Sequence, residues 1–94
     1  NRIRFLIEKT RLFDRLRGVI NERQEKALIR MFREGPDGFE GGLSAGNYRT
    51  ITGAATATST RDLNDLIEKN ALIRTGERRY ARYRLAVDIG GDNK

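Results

Sequence analysis

The chain has 94 residues, with 19 Lys and Arg against 13 Asp and Glu, a net charge of +6, and neither Cys nor His. One domain's length and a basic balance favour a polyanionic partner such as nucleic acid. The missing Cys and His exclude a disulfide framework, a thiolate zinc site and the commonest catalytic base, and no apolar run approaches a membrane span.

Asn1 opens the chain within a helical pattern, which reads as a fragment of a longer protein. The periodicity predicts a helix over 2–17 with apolar residues on two sides. Ile3, Leu6, Ile7 and Phe13 share one; Phe5, Leu12 and Leu16 share the other. One side packs on this domain. Phe5, Leu12 and Leu16 are assigned to a second partner, either a missing domain of the same chain or another copy in a homodimer. Gly18 breaks this helix. Asn21, with Gln24 three residues on, is a capping box for a second helix running to about Glu34. Ala27, Leu28, Met31 and Phe32 form its buried stripe.

Gly35-Pro36-Asp37-Gly38 is turn chemistry. The short segment from Phe39 to Leu43 then carries Phe39 and Leu43 into the core. Ser44 caps a third helix over 45–52 with Tyr48 and Ile51 inward, and Gly53 marks a tight turn. A fourth helix follows from about Ala55 to Lys69, with Ser59, Leu63, Leu66 and Ile67 inward. Asn70 stands where a left-handed C-cap residue is wanted. Residues 71–74 read as a strand, 75–79 as a turn, and 80–87 as a returning strand with Tyr83, Leu85 and Val87 on one face.

Helix, tight turn, helix, strand, basic turn, strand is the outline of a winged helix-turn-helix. The expected fold is therefore mostly α with a small β-hairpin wing. Residues 1–18 are a connecting N-terminal helix, 19–87 the winged helix-turn-helix domain, and 88–94 a disordered tail.

The run Gly35-Pro36-Asp37-Gly38-Phe39-Glu40-Gly41-Gly42-Leu43, followed by Tyr48, by Thr58 to Leu66, by Glu68-Lys69-Asn70 and by Arg82-Tyr83-Arg84-Leu85, resembles the C-terminal winged-helix domain of Fic-family (filamentation induced by cAMP) proteins. Asn21-Glu22-Arg23-Gln24 is similar to the segment that joins the Fic catalytic helices to that domain. The resemblance spans about residues 10–85 and is most specific in the Gly-rich loop. It implies a cytoplasmic bacterial accessory module that binds DNA in a regulatory role. The parent protein would transfer AMP to a target hydroxyl. That activity needs a His-Pro-Phe loop absent here, so no catalytic residue and no cofactor is assigned and the chain by itself is not an enzyme. The family pattern also places Ser at 55 and Arg at 56. Ala55 and Thr56 stand here instead, which forfeits a cap worth about 1 kcal/mol.

Charge is concentrated at the ends. Residues 1–17 carry Arg2, Arg4, Lys9, Arg11, Arg15 and Arg17 against Glu8 and Asp14, whereas 54–70 carry Arg61 and Lys69 against Asp62, Asp65 and Glu68. With Leu63 inward, the outward face of the fourth helix is expected to carry Thr58, Arg61 and Asp65, flanked by Ala57, Asp62, Glu68 and Lys69. Arg61 suits a guanine edge, Thr58 a phosphate or thymine methyl, and Thr56 a phosphate at the helix start. The alternative for Arg61 is an ion pair with Asp65 one turn on. Arg78, Arg79 and Arg82 form a basic wing suited to the phosphate backbone, and Arg49 can brace it.

The leading expectation is thus a DNA-binding winged helix-turn-helix domain with double-stranded DNA as partner and no metal site. The rival is a protein-interaction or dimerisation module that docks the missing catalytic domain or its target without binding DNA.

Overall fold

The computed structural model describes residues 2–34, 42–77 and 80–86. The chain forms helices α1 (Arg2–Leu16), α2 (Glu22–Arg33), α3 (Ala45–Thr52) and α4 (Thr56–Glu68), then strands β1 (Leu72–Thr75) and β2 (Arg82–Leu85). The described fold is mostly helical with one small antiparallel hairpin.

Local chemistry sets the starts of α2 and α3. The Gln24 amide donates to Asn21 Oδ1 at 2.8 Å and the Asn21 amide donates to Gln24 Oε1 at 2.9 Å. Ser44 and Asn47 make the same reciprocal pair at the start of α3. Each box satisfies two backbone donors that a helix start leaves open. α4 differs, because Ala55 supplies no side-chain cap. Its other end is closed by Asn70, which takes the expected left-handed conformation with φ of 61°. α1 adds to that closure: Arg15 Nη1 donates to the Lys69 carbonyl at 2.6 Å and Nη2 to that of Asn70 at 3.2 Å. A cation at a helix C-terminus meets both the open carbonyls and the negative end of the helix dipole.

β1 and β2 pair with Leu72 opposite Leu85 and Thr75 opposite Arg82. Leu43, between α2 and α3, forms an isolated bridge to Tyr83, with both backbone bonds at 2.8 Å. The hairpin is thereby fastened to the segment that enters α3. Strand β2 is shorter than its apolar alternation suggests. Tyr80 lies exposed ahead of it, its amide bonded to the Glu77 carbonyl.

One core joins these elements. Leu28, Met31 and Phe32 of α2, Tyr48 of α3, Leu63 and Leu66 of α4, and Leu43, Leu72 and Tyr83 of the sheet side are all buried together. The stripe expected on α2 and the inward Tyr48 lie there.

The faces of α1 require a correction. Leu12 and Leu16, expected to meet a partner, are 4% and 1% exposed and belong to the core. Phe13, expected on the opposite side, is half-buried and its ring packs 5.6 Å from that of Phe32. It is Ile3, Leu6 and Ile7 that remain exposed, at 70%, 51% and 45%. The C-terminal half of α1 lies against the domain through Leu12, Leu16 and Phe13. The side chain of Phe5 lies outside the described residues, as do Gly35–Pro36–Asp37–Gly38, Phe39, Val87 and the tail at 88–94.

Candidate functional site

α3 and α4 are joined through Gly53, Ala54 and Ala55, and the exposed side of α4 is the surface on which the expected site rests. Its orientation is set by a buried polar cluster. Asp62, 4% exposed, points inward between α2 and α3. Its Oδ2 accepts from Arg23 Nε at 2.7 Å and from the Tyr48 hydroxyl at 2.7 Å. Its Oδ1 accepts from Arg23 Nη2 at 3.1 Å and from Asn21 Nδ2 at 3.2 Å. A buried carboxylate is costly unless its lone pairs are filled, and here four donors on two helices fill them. Burial works against ionisation, but the bonds from Arg23, Tyr48 and Asn21 and the Arg23 charge outweigh it and hold the Asp62 carboxyl below the usual carboxylate range. Burial, reinforced by Asp62, pushes the Tyr48 hydroxyl well above the ordinary phenol range. The bond to Asp62 likewise raises the Arg23 guanidinium.

Gln24 extends this cluster. Besides completing the capping box of α2, its Nε2 donates to the Asp62 carbonyl at 3.0 Å and to Asp65 Oδ2 at 2.8 Å. Asp65 also pairs with Lys69 one turn along α4. Lys69, then Gln24, hold the Asp65 carboxyl below its usual range.

The exposed face of α4 is consequently not the expected one. Asp62 was placed on the flank of that face and is buried instead. Asp65 was placed at its centre and is turned toward α2. Thr58 is half-buried. The exposed residues are Thr56, Ala57, Thr60, Arg61, Asn64 and Glu68, a face rotated by roughly 90° from the expected one at 100° per residue. The alternative pairing of Arg61 with Asp65 does not form, since Asp65 is held by Lys69 and Gln24. Arg61 is exposed and makes no hydrogen bond or ion pair with any described residue.

Arg49 and Thr56 come together at the start of α4, with Arg49 Nη1 donating to Thr56 Oγ1 at 2.9 Å on the exposed side. Arg82 sits in β2, half-buried, with Nη1 donating to the Ala81 carbonyl at 3.1 Å. Arg78 and Arg79 lie outside the described residues. Thus Arg49 and Thr56 meet at the start of α4 and Arg61 is exposed further along it, while Thr58 is drawn partly inward. Thr60 and Asn64 are exposed polar residues that the outward-face assignment missed. Both lie one position before a residue expected to be exposed, at Arg61 and Asp65, and an inward Asp62 was the missing signal.

Among the described residues there is no group of three or more acidic, His or Cys side chains able to hold a metal ion, and no helix long and apolar enough to cross a membrane. In comparisons with known proteins, no family model matches the chain and no curated protein matches it.

Proposed function

We propose that this chain is a winged helix-turn-helix domain that binds double-stranded DNA, with the exposed side of α4 toward the major groove and the β1–β2 turn along the backbone. One observation carries the reading. The carboxylate of Asp62 is buried and that of Asp65 is bonded to Lys69 and Gln24, so the first three turns of α4 present Arg61 with Thr60 and Asn64. A helix whose central carboxylates are engaged by donors of the protein suits approach to phosphate. The element order supports the same fold: a bridge strand at Leu43, two helices across a three-residue turn, then a hairpin. The reading retains the Fic resemblance and makes the domain an accessory regulatory module of a cytoplasmic AMP-transferring protein, with its catalytic centre elsewhere.

The test is a fluorescence-anisotropy titration of labelled random-sequence duplex at low and then physiological salt, with size-exclusion light scattering on the same sample. Neutralising about five phosphates gives log K a slope of about −4.5 in log salt. Absence of binding at low salt overturns the proposal for this chain.

A second reading has its own observation. Ile3, Leu6 and Ile7 form an exposed apolar stripe on α1, the pattern of a helix that meets a protein partner. Leu6→Glu, outside the core, should abolish any self-association in the scattering experiment and leave DNA retention intact. Leu16→Glu would instead place a charge in the core.

A further inference from the structure

We infer that α4 reads two neighbouring base pairs, with Arg61 bonding a guanine and Asn64 an adenine; this rests on the DNA-binding reading above. The two side chains are three residues apart on one exposed face. At 1.5 Å per residue their origins are separated by about 4.5 Å along the helix axis. Successive base pairs are about 3.4 Å apart, so side chains of this length reach adjacent pairs from one docking pose.

The chemistry of the two residues differs in a way that distinguishes bases. The Arg61 guanidinium offers parallel N–H donors, which match the two acceptors on the guanine edge, N7 and O6. The Asn64 amide offers one donor and one acceptor, which match adenine N7 and N6–H. Neither side chain is engaged by a described residue, so neither has to break a bond within the protein to reach a base. Ala57, one turn before Arg61 on the same face, has only a methyl group and permits close approach. Glu68, one turn beyond Asn64, is exposed and confines the approach to the first three turns. The N-terminal part of a recognition helix is the part that meets base edges. The Arg49–Thr56 pair at the helix start is positioned to meet the flanking phosphate.

The burial of Asp62 also fixes the two readers. Asp62 is held by α2 and α3, so α4 cannot roll about its axis without breaking that bidentate bond. The face carrying Arg61 and Asn64 is therefore set by the core, and not by the ligand.

The experiment is a site selection with the whole chain from a random duplex pool, followed by anisotropy titrations of the wild type, Arg61→Ala and Asn64→Ala. Guanine and adenine should be enriched at adjacent positions. Arg61→Ala should weaken binding to the selected duplex by about 5- to 150-fold and abolish discrimination at the guanine while keeping it at the adenine. Asn64→Ala should do the converse. Both side chains are exposed, and circular dichroism should show unchanged folding. A bound pool without such enrichment, or two variants that weaken every duplex equally, would overturn base reading and leave DNA binding standing. Failure of the wild type to bind any duplex at low salt would overturn the DNA-binding reading, and this inference with it.

Discussion

Replacing Asp62 with alanine removes the acceptor of four hydrogen bonds that join α2, α3 and α4. The consequences for its partners differ. Tyr48 is fully buried, so its hydroxyl loses the Asp62 acceptor in a place that water does not reach. An unsatisfied buried hydroxyl costs about 1–3 kcal/mol. Arg23, with 42% of its side chain exposed, and half-buried Asn21 can be rehydrated and add less. The expected loss is about 2–4 kcal/mol, once the charge-assisted bonds are included. Against a typical total of about 5–15 kcal/mol, that is a large fraction. It corresponds to a melting point lower by roughly 8–30 °C in a domain of this size. The chain has no Trp, so urea denaturation is best followed by far-ultraviolet circular dichroism. Tyr48→Phe leaves Asp62 its Arg23 and Asn21 donors and should cost less, about 1–2 kcal/mol. The double variant discriminates most sharply. With the hydroxyl gone, removing Asp62 no longer strands it, so the two losses should fall short of additivity by about 1–3 kcal/mol. Strict additivity, or a loss under about 0.5 kcal/mol for Asp62→Ala, would refute the view that this cluster holds α4 in place.

Three further perturbations test how the domain is held. Ala55→Ser places a hydroxyl at an exposed N-cap whose backbone is already extended, at φ −70° and ψ 165°; it should raise stability by about 0.5–1 kcal/mol, and an unchanged melting point would count against a missing cap. Gly53 and Gly76 both have φ of +75°, but a Cβ at Gly53 meets nothing within 4 Å whereas one at Gly76 comes 2.6 Å from the Tyr80 carbonyl oxygen. Gly53→Ala should therefore cost only the left-handed penalty of about 1–2 kcal/mol and Gly76→Ala more, so equal melting points for the two would contradict the geometry. The dependence on pH follows from the shifted groups. Asp62 and Asp65 ionise more readily in the fold, so their contribution is complete above the ordinary carboxylate value of about 4 and is lost as pH falls through their lowered values. Tyr48 ionises less readily, so its contribution is complete below the ordinary phenol value of about 10 and is lost as pH rises above it. The urea midpoint should be level between about pH 5 and 9 and fall on both sides, with Asp62→Ala flattening the acid limb and Tyr48→Phe the alkaline one.

Much of the fold is legible in the chain because it is decided within a few residues. Asn21 and Gln24 form their capping box across three positions, as do Ser44 and Asn47, and Asn70 accepts a left-handed turn at low cost. The stripe of Ala27, Leu28, Met31 and Phe32 follows from helical periodicity, and the alternation around Tyr83 marks a strand.

Other features depend on groups far apart in sequence. α1 has two apolar sides, and local periodicity favours neither. Leu12 and Leu16 turn inward because Phe32 receives Phe13 and because the end of α4 offers Arg15 two open carbonyls 54 and 55 residues away. Asp62 borders the apolar stripe of α4, where an aspartate alone would stay in water. It is buried because Asn21 and Arg23, 41 and 39 residues away, and Tyr48, 14 away, bring donors to its oxygens. That burial turns Asp65 toward Gln24 and leaves Thr60 and Asn64 beside Arg61 on the surface. Caps and periodicity determined which segments are helices. The satisfaction of one buried charge, available only after those helices pack, decided which face of α4 meets solvent.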